Sequence, residues 1–455
     1  MTTSANGNTP ARESDSAPPE ALAGVRVLDF TWSVAGPTIT TILAAFGAEV
    51  IKVEWPARFD SMRAVMVAAD VPPTLDSACF FAAVNPGKRG FSVNTRLPDG
   101  MALIEELIAR VDIVTESFSA GVLERWGLGY ERMRELNPDI IYLSFSGFGH
   151  SGPYTSYDTW GPTAQSFNGM TSLSGLPGRG PAGIGFSYLD VMGGYHGALA
   201  ALLAIYHKRA TGEGQYVDVA QTEAGLAFTG AGFLDASVNL RGDGRIGVPP
   251  GNRAVWPGAA AATGLRGETG APYNCYPARG DGDGDYVAIT VLTDAQWERF
   301  KDALGRPGWA GEGRFGSMQA RIANQDELDA YVAEWTATRD KWEITRLLQE
   351  HGVPAGPVQT FEEIVERDPQ LKHRNFFVQA THPLLGTHRW ESSAVKLSES
   401  PSRLHETWPL LGQDNDYVLG EVLKVDPERR AKLEDEGVFW PPDLPRVVSL
   451  EGGSW

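Results

Sequence analysis

Cysteine is nearly missing from this chain, whose 455 residues include only Cys79 and Cys275. Two thiols exclude a disulfide framework and a thiolate metal site, and they suit a reducing cytoplasm, the compartment expected here. Histidine is sparse too: the eight present show no HExxH or comparable ligand spacing, so no metal is expected. Long apolar runs are also lacking. No stretch reads as the roughly 20 apolar residues of a transmembrane helix. Residues 1–22 are polar and hold no apolar run of signal-peptide length, so they read as a disordered tail. Positive charge is in deficit, with 39 basic against 57 acidic side chains and a net charge of -18. That balance argues against nucleic acid and anionic membranes as partners. A phosphorylated ligand would need basic residues concentrated locally.

What is present is the rhythm of an α/β protein. Val25–Phe30 is an apolar run of strand length, Ala35-Gly36-Pro37 a turn, and a helical stretch follows to Phe46. Gly47-Ala48 stops that helix, and Glu49–Glu54 reads as the next strand, which makes a parallel βαβ unit. A helix over 98–110 and strands at Val111–Thr115 and Ile140–Ser146 continue the pattern. A long helix over 191–209 ends in basic residues, as its dipole prefers. These elements predict an open, mostly parallel, Rossmann-like sheet over 23–235. Residues 236–272, rich in Gly, Ala and Arg, read as a linker. A smaller α/β domain is expected over 273–375, with a strand at 286–291 and helices near 294–304 and 340–351. Residues 376–455 are expected to return to the large domain and end in a tail.

Several local patterns touch on chemistry. Asp190 stands directly before Val191-Met-Gly193-Gly194, at the expected start of the long helix. An acidic side chain there is commonly an N-cap. The same position keeps a carboxylate ionised, and paired glycines leave room and free N–H groups for a carbonyl to approach. Gly147-Phe-Gly-His-Ser-Gly152 fits GxGxxG after a strand, but Pro153 follows, no helix opens, and no acid lies where a ribose would need one. A nicotinamide cofactor is therefore excluded. Asp281–Asp285 lacks the glutamate that would complete a calcium loop and reads as a hairpin turn.

Seven stretches in order carry a family likeness: VRVLDFTWSVAGP (25–37), GAEVIKVE (47–54), NPGKRGFSVN (85–94), ESFSAGVLERWGLGY (116–130), LSFSGFGHSGPY (143–154), LDVMGGYHGALAALLAI (189–205) and TGEGQYVDVAQTE (211–223). Over 23–425 the chain resembles the class III CoA-transferases, a family that includes formyl-CoA transferase, the carnitine and benzylsuccinate CoA-transferases, and 2-methylacyl-CoA racemase. The resemblance implies a Rossmann-like large domain, a small domain and an interlocked homodimer. It makes Asp190 the covalent nucleophile, with Gly193 and Gly194 beside it. CoA or acyl-CoA would enter as substrate, with no tightly bound cofactor, and a carboxylic acid would accept the CoA. The implied CoA contacts are Lys88, Arg89 and Val93, with Phe118, Val122, Arg125 and Trp126, and Ala35 at the entry turn. Trp32, Val34 and Tyr157 would line the acyl pocket.

Some positions depart from the formyl-transferase pattern. Ser117 stands for an asparagine, Ser146 for a lysine, and Trp32-Ser33-Val34 for a more polar entry, which points to a larger, aromatic or branched acyl group. Tyr157 stands where racemases carry histidine, and a phenol is a poor base at neutral pH. Two alternatives stay open at this stage. One is a racemase-like proton-transfer enzyme. The other is a non-catalytic CoA-binding subunit of a heteromeric transferase, or more broadly a heteromer with a paralogue.

Overall fold

The computed structural model describes residues 20–69, 71–171, 181, 183, 185–229, 270–280, 282, 284–402 and 407–440. Most of the expected tail and linker lie outside these residues. Two compact units are present. The first draws on residues up to Phe145, on Gly194–Val219 and on residues from Asn375; the second on Ser146–Gly193 and Ala220–Arg374. The strand pattern alone assigns 146–193 to the large domain, whereas here the chain passes to the second unit at the end of a strand.

In the first unit β1 (Arg26–Phe30), β2 (Glu49–Glu54), β3 (Arg89–Ser92), β4 (Ile113–Glu116), β5 (Ile141–Ser146) and β6 (Tyr216–Ala220) form one sheet in the order β3-β2-β1-β4-β5-β6. Pairing from β3 through β5 is parallel. Alternating side chains serve opposite faces, as the period of a strand requires. Leu28, Ile51 and Val114 join one core, with Leu103, Ile104 and Leu107 of the Pro98–Ile108 helix. Val27, Val50 and Ile113 join another, with Ile39 and Leu43 of the Ala35–Ala45 helix. Apolar residues on both faces mark a parallel sheet covered twice. The helix stop read at Gly47 is real, with φ of +101°.

The long helix runs Tyr188–Thr211, one turn earlier than its sequence suggests. By length and composition it is apolar enough to cross a membrane, although no such stretch is expected from the sequence; 44% of its most apolar window is buried. Ala198, Ala201, Ala204 and Ile205 pack into the second of the two cores. Gly194 and Gly197 permit that approach. A Cβ at Gly194 would lie 2.6 Å from Cβ of Thr38, and one at Gly197 2.4 Å from Cδ1 of Ile39.

In the second unit β7 (Tyr273–Pro277), β8 (Tyr286–Thr290) and β9 (Ala355–Pro357) form an antiparallel sheet. Helices Asp294–Ala303, Gln325–Thr336 and Lys341–Glu350 bring Trp297, Phe300, Leu328, Val332, Ile344 and Leu348 into one core. The first unit also holds a hairpin of β10 (Phe377–His382) and β11 (Gly386–Glu391), turned between His382 and Gly386.

Candidate active site

In the first unit the strand order reverses between β1 and β4, the place where open α/β sheets bind ligands at the carboxyl ends of their strands. The β1 loop carries Trp32, Ser33 and Val34; the β4 loop carries Ser117 and Phe118. The two are tied together. Trp32 N–H donates to Ser117 Oγ at 2.9 Å, and that hydroxyl donates to the Trp32 carbonyl at 3.3 Å. The Trp32 ring stands edge-on to Phe118 at 5.8 Å, and Phe118 packs on Trp126 at 5.6 Å. Gly36, beside Ala35, lets the next helix start this close, since a Cβ would come 2.6 Å from Thr31 and 2.7 Å from Ser117. Ser33 has φ of +66°, a strained value for a residue with a side chain.

Beneath this loop lies a buried charge network. Lys52 pairs with Asp60 at 3.1 Å, Arg63 with Glu54 at 2.7 Å and with Asp76 at 2.8 Å. Asp60 in turn accepts the Ser33 N–H at 3.1 Å and so fixes the strained turn. Lys88 belongs to the same network. Its ammonium donates to the Pro37 carbonyl at 3.0 Å and to Asn85 Oδ1 at 2.9 Å, and it pairs with Asp29 at 3.2 Å. Burial pushes its pKa down to about 8. A lysine that the family likeness makes a CoA contact is thus committed to the interior, so that role is dropped. β3 begins directly after Lys88, at Arg89. Arg89 pairs with Asp414 at 3.2 Å and Glu49 at 3.4 Å and lies over the Tyr417 ring at 4.1 Å, so it too is engaged within the fold. Val93 is a core residue, and Val34 is buried with Phe81 and Trp408.

Arg125 is different. It ends the short Val122–Arg125 helix, is exposed, and has no ion-pair partner among the described residues. In so acidic a protein that is a cation available to an anion. Trp126 follows it and leaves 37% of its surface open.

Glu116 closes β4 beneath Phe118, whose N–H donates to its carboxyl at 2.7 Å, and Tyr142 O–H donates to it at 3.2 Å. Burial outweighs these bonds and pushes its pKa to about 8. Between its ordinary value of 4.5 and about 8 the folded protein therefore binds the extra proton. Stability contributed in this way is present at low pH and declines as pH rises through that window. A Glu116→Gln variant is expected to gain on the parent by up to about 3 kcal/mol as pH rises from 5 to 8. Urea midpoints measured across that range check it, and a gap between the two proteins that stayed flat with pH would refute it.

The second unit holds Asp190, in the first turn of the long helix. Because that helix begins at Tyr188, Asp190 is not its cap, and Gly193 and Gly194 lie beyond the first turn, where N–H groups are already spent on the helix. Gly194 serves packing against Thr38, and neither glycine has a free N–H to offer a thioester carbonyl. The carboxyl of Asp190 instead accepts a short hydrogen bond from the Gln221 side-chain amide. Its other oxygen faces Gly161, where a Cβ would sit 2.7 Å away and would strike Ser187. Burial raises the Asp190 pKa, opposed by Ser187 and Gln221. This reverses the expectation that the helix alone would keep it strongly ionised. The carboxylate is partly desolvated, held on one side and free of an ion pair among the described residues.

Gln221 is itself positioned. The next residue, Thr222, donates from N (3.0 Å) and Oγ1 (2.8 Å) to the Gly147 carbonyl, and Gly147 approaches Thr159 so closely that a Cβ would lie 2.0 Å from its hydroxyl. The glycines of the GxGxxG match thus serve a tight turn. Tyr157 lies in this second unit, exposed, with its ring 4.8 Å from Tyr154 and 6.0 Å from Phe148. Of the expected site residues, the first unit gathers Trp32, Phe118 and Trp126 in one cluster, with Arg125 beside Trp126; Asp190 and Tyr157 belong to the second. Gln221, Ser187 and Gly161 were missed by sequence reasoning. The only available signal was Gln221 in the matched TGEGQYVDVAQTE stretch.

The model for CoA-transferase family III matches residues 22–415. The chain is 33% identical over 422 residues to a succinyl-CoA–D-citramalate CoA-transferase of Chloroflexus aurantiacus, covering 93% of this chain and 99% of the relative. It is 33% identical over 431 residues to a formyl-CoA:oxalate CoA-transferase of Rhodopseudomonas palustris, covering 93% and 98%. Among solved structures, a CAIB/BAIF family protein from Brucella suis superposes with a TM-score of 0.75 at 28% identity, covering 89% of this chain and all of that one.

Proposed function

The chain belongs to CoA-transferase family III and is a transferase, and from that premise we propose that it exchanges CoA between two carboxylic acids through covalent intermediates on Asp190. The observation that carries this reading is the partly desolvated carboxylate with one oxygen held by Gln221 and the other against the bare Cα of Gly161. A carboxylate stripped of water is a stronger nucleophile once ionised. Asp190 attacks the donor thioester carbonyl, the C–S bond breaks, and an aspartyl-acyl anhydride and CoA thiolate result. The thiolate then attacks the aspartyl carbonyl, the anhydride C–O bond breaks, and the donor acid leaves as its carboxylate. The acceptor carboxylate displaces thiolate from the aspartyl-CoA thioester, and thiolate attack on the acceptor carbonyl yields the new CoA ester and restores Asp190. Each step exchanges groups of similar energy, so no ATP is consumed. Gln221, donating to the aspartyl oxygen, is placed to hold the oxyanion formed when thiolate attacks.

Arg125 would contact a CoA phosphate, and Trp126, Phe118 and Trp32 would flank its apolar parts. Arg89, Val93, Val122 and Ala35 would then shape this region through the backbone and packing. The test of the function is a mass spectrum of protein incubated with acyl-CoAs and quenched with hydroxylamine. An Asp190 hydroxamate is expected; label on another residue would overturn the assignment.

We also propose that the protein works as a homodimer. Tyr195, Leu199, Leu202, Leu203 and Tyr206 line one face of the long helix, each at least 40% exposed. A second copy would cover this stripe. Leu199→Glu with Leu203→Glu is expected to weaken dimerisation at least tenfold in sedimentation equilibrium. A monomeric parent protein would refute the assembly.

A further inference from the structure

Four rings of the second unit pack on one another, and three of them stay open to solvent. Phe148 and Phe167 meet edge-to-face at 4.8 Å, Tyr154 and Tyr157 lie 4.8 Å apart, and Tyr154 reaches Phe167 at 6.0 Å. Tyr154 is 45% exposed, Tyr157 51% and Phe167 55%. Scattered exposed aromatics call for no explanation, but a contiguous set does.

Both ends of the set are anchored to the nucleophile. At one end Phe148 follows Gly147, whose carbonyl takes both bonds from Thr222, next to the Gln221 that holds Asp190. At the other end Phe167 closes the Gly161–Phe167 helix, whose first residue packs against the Asp190 carboxyl. Six residues of helix carry the chain about 9 Å. The cluster therefore begins about 9 Å along one helix from the residue that packs against the carboxylate forming the anhydride.

We propose that this cluster is the recognition surface for the acid portion of a substrate, and that at least one of the two exchanged acids is an arylalkanoic acid. This rests on the Asp190 reading. A substrate ring would extend the edge-to-face and tilted contacts already made among the four residues. The chemistry is that of an apolar platform: no charged side chain belongs to the cluster, so a second carboxylate on the substrate finds no partner there, whereas an aryl group does.

The experiment compares acetyl-, succinyl-, phenylacetyl- and 3-phenylpropionyl-CoA as donors, each with the other acids as acceptors, by kcat/KM. The two aryl esters are expected to be preferred at least about tenfold. Phe167→Ala and Tyr154→Ala should lower kcat/KM for the aryl esters by about tenfold or more and change the small esters little. Phe167→Leu, which keeps an apolar side chain without the ring, should retain the fold and lose part of the aryl preference. If the parent protein transfers only the small acids, or if the variants depress all esters alike, the inference falls while the Asp190 reading stands. If no ester supports transfer and no Asp190 adduct forms, both fall.

Discussion

Replacing Asp190 by asparagine is expected to lower kcat for CoA transfer by about four orders of magnitude or more, with the fold and CoA binding retained. Asparagine has nearly the same shape, and its carbonyl oxygen can still accept from the Gln221 amide, so the side chain keeps its place. What it lacks is the anionic oxygen that forms the anhydride. CoA binding is expected to survive because Arg125, Trp126 and Phe118 belong to the first unit, with contacts of their own. Isothermal titration with CoA and a transfer assay on the same preparation separate the two properties. The pH dependence adds a second readout. Burial lifts the Asp190 pKa, so in the parent protein the acidic limb of kcat should sit above the usual aspartate range. A D190N protein turning over within tenfold of the parent would end the covalent mechanism.

How much of this was legible in the sequence depends on what each residue answers to. The parallel sheet was legible because β1, β2, β4 and β5 are apolar runs bounded by turns, and local pattern decides them. β3 was not. Its four residues, Arg89–Ser92, begin with an arginine and follow a basic turn, and only pairing with β2 makes them a strand. Lys88 stood among the implied CoA contacts because nothing local reports that Asp29, fifty-nine positions earlier and on another strand, would be buried beside it. Gly193 and Gly194 were read as catalytic on the assumption that the helix starts at Val191. The helix starts at Tyr188 instead, and a shift of one turn converts free N–H groups into satisfied ones. Asp190 was found through likeness rather than pattern, for an acid in a first turn is unremarkable. Gln221 and Gly161 could not have been found locally. Each matters through a contact made across thirty residues of chain, and such contacts exist only once the chain is folded.

Gly161→Ala is the sharper probe of the site, because it alters no chemical group in the mechanism. A Cβ there would sit 1.4 Å from Ser187 Oγ, 2.5 Å from Ser187 Cβ and 2.7 Å from Asp190 Oδ2. The hydroxyl can rotate away, but the Ser187 Cβ is fixed to the backbone and the carboxyl is held by Gln221. The strain must therefore move Asp190 or the turn before it. Displacement of a nucleophile by about 1 Å is worth roughly 100-fold in rate, so kcat is expected to fall by about that factor or more. Stability should fall by about 1–3 kcal/mol, as for other overpacked positions. Adding Ser187→Gly removes both of the shortest contacts and leaves only the 2.7 Å approach to Asp190. The double variant should therefore regain most of the stability and only part of the activity, since the remaining crowding is on the carboxylate. Thermal melts and single-turnover transfer rates on the three proteins decide it. Full activity in the Gly161→Ala protein would mean that Asp190 reacts from a position other than the one held by Gln221, and the roles given to both residues would have to be abandoned.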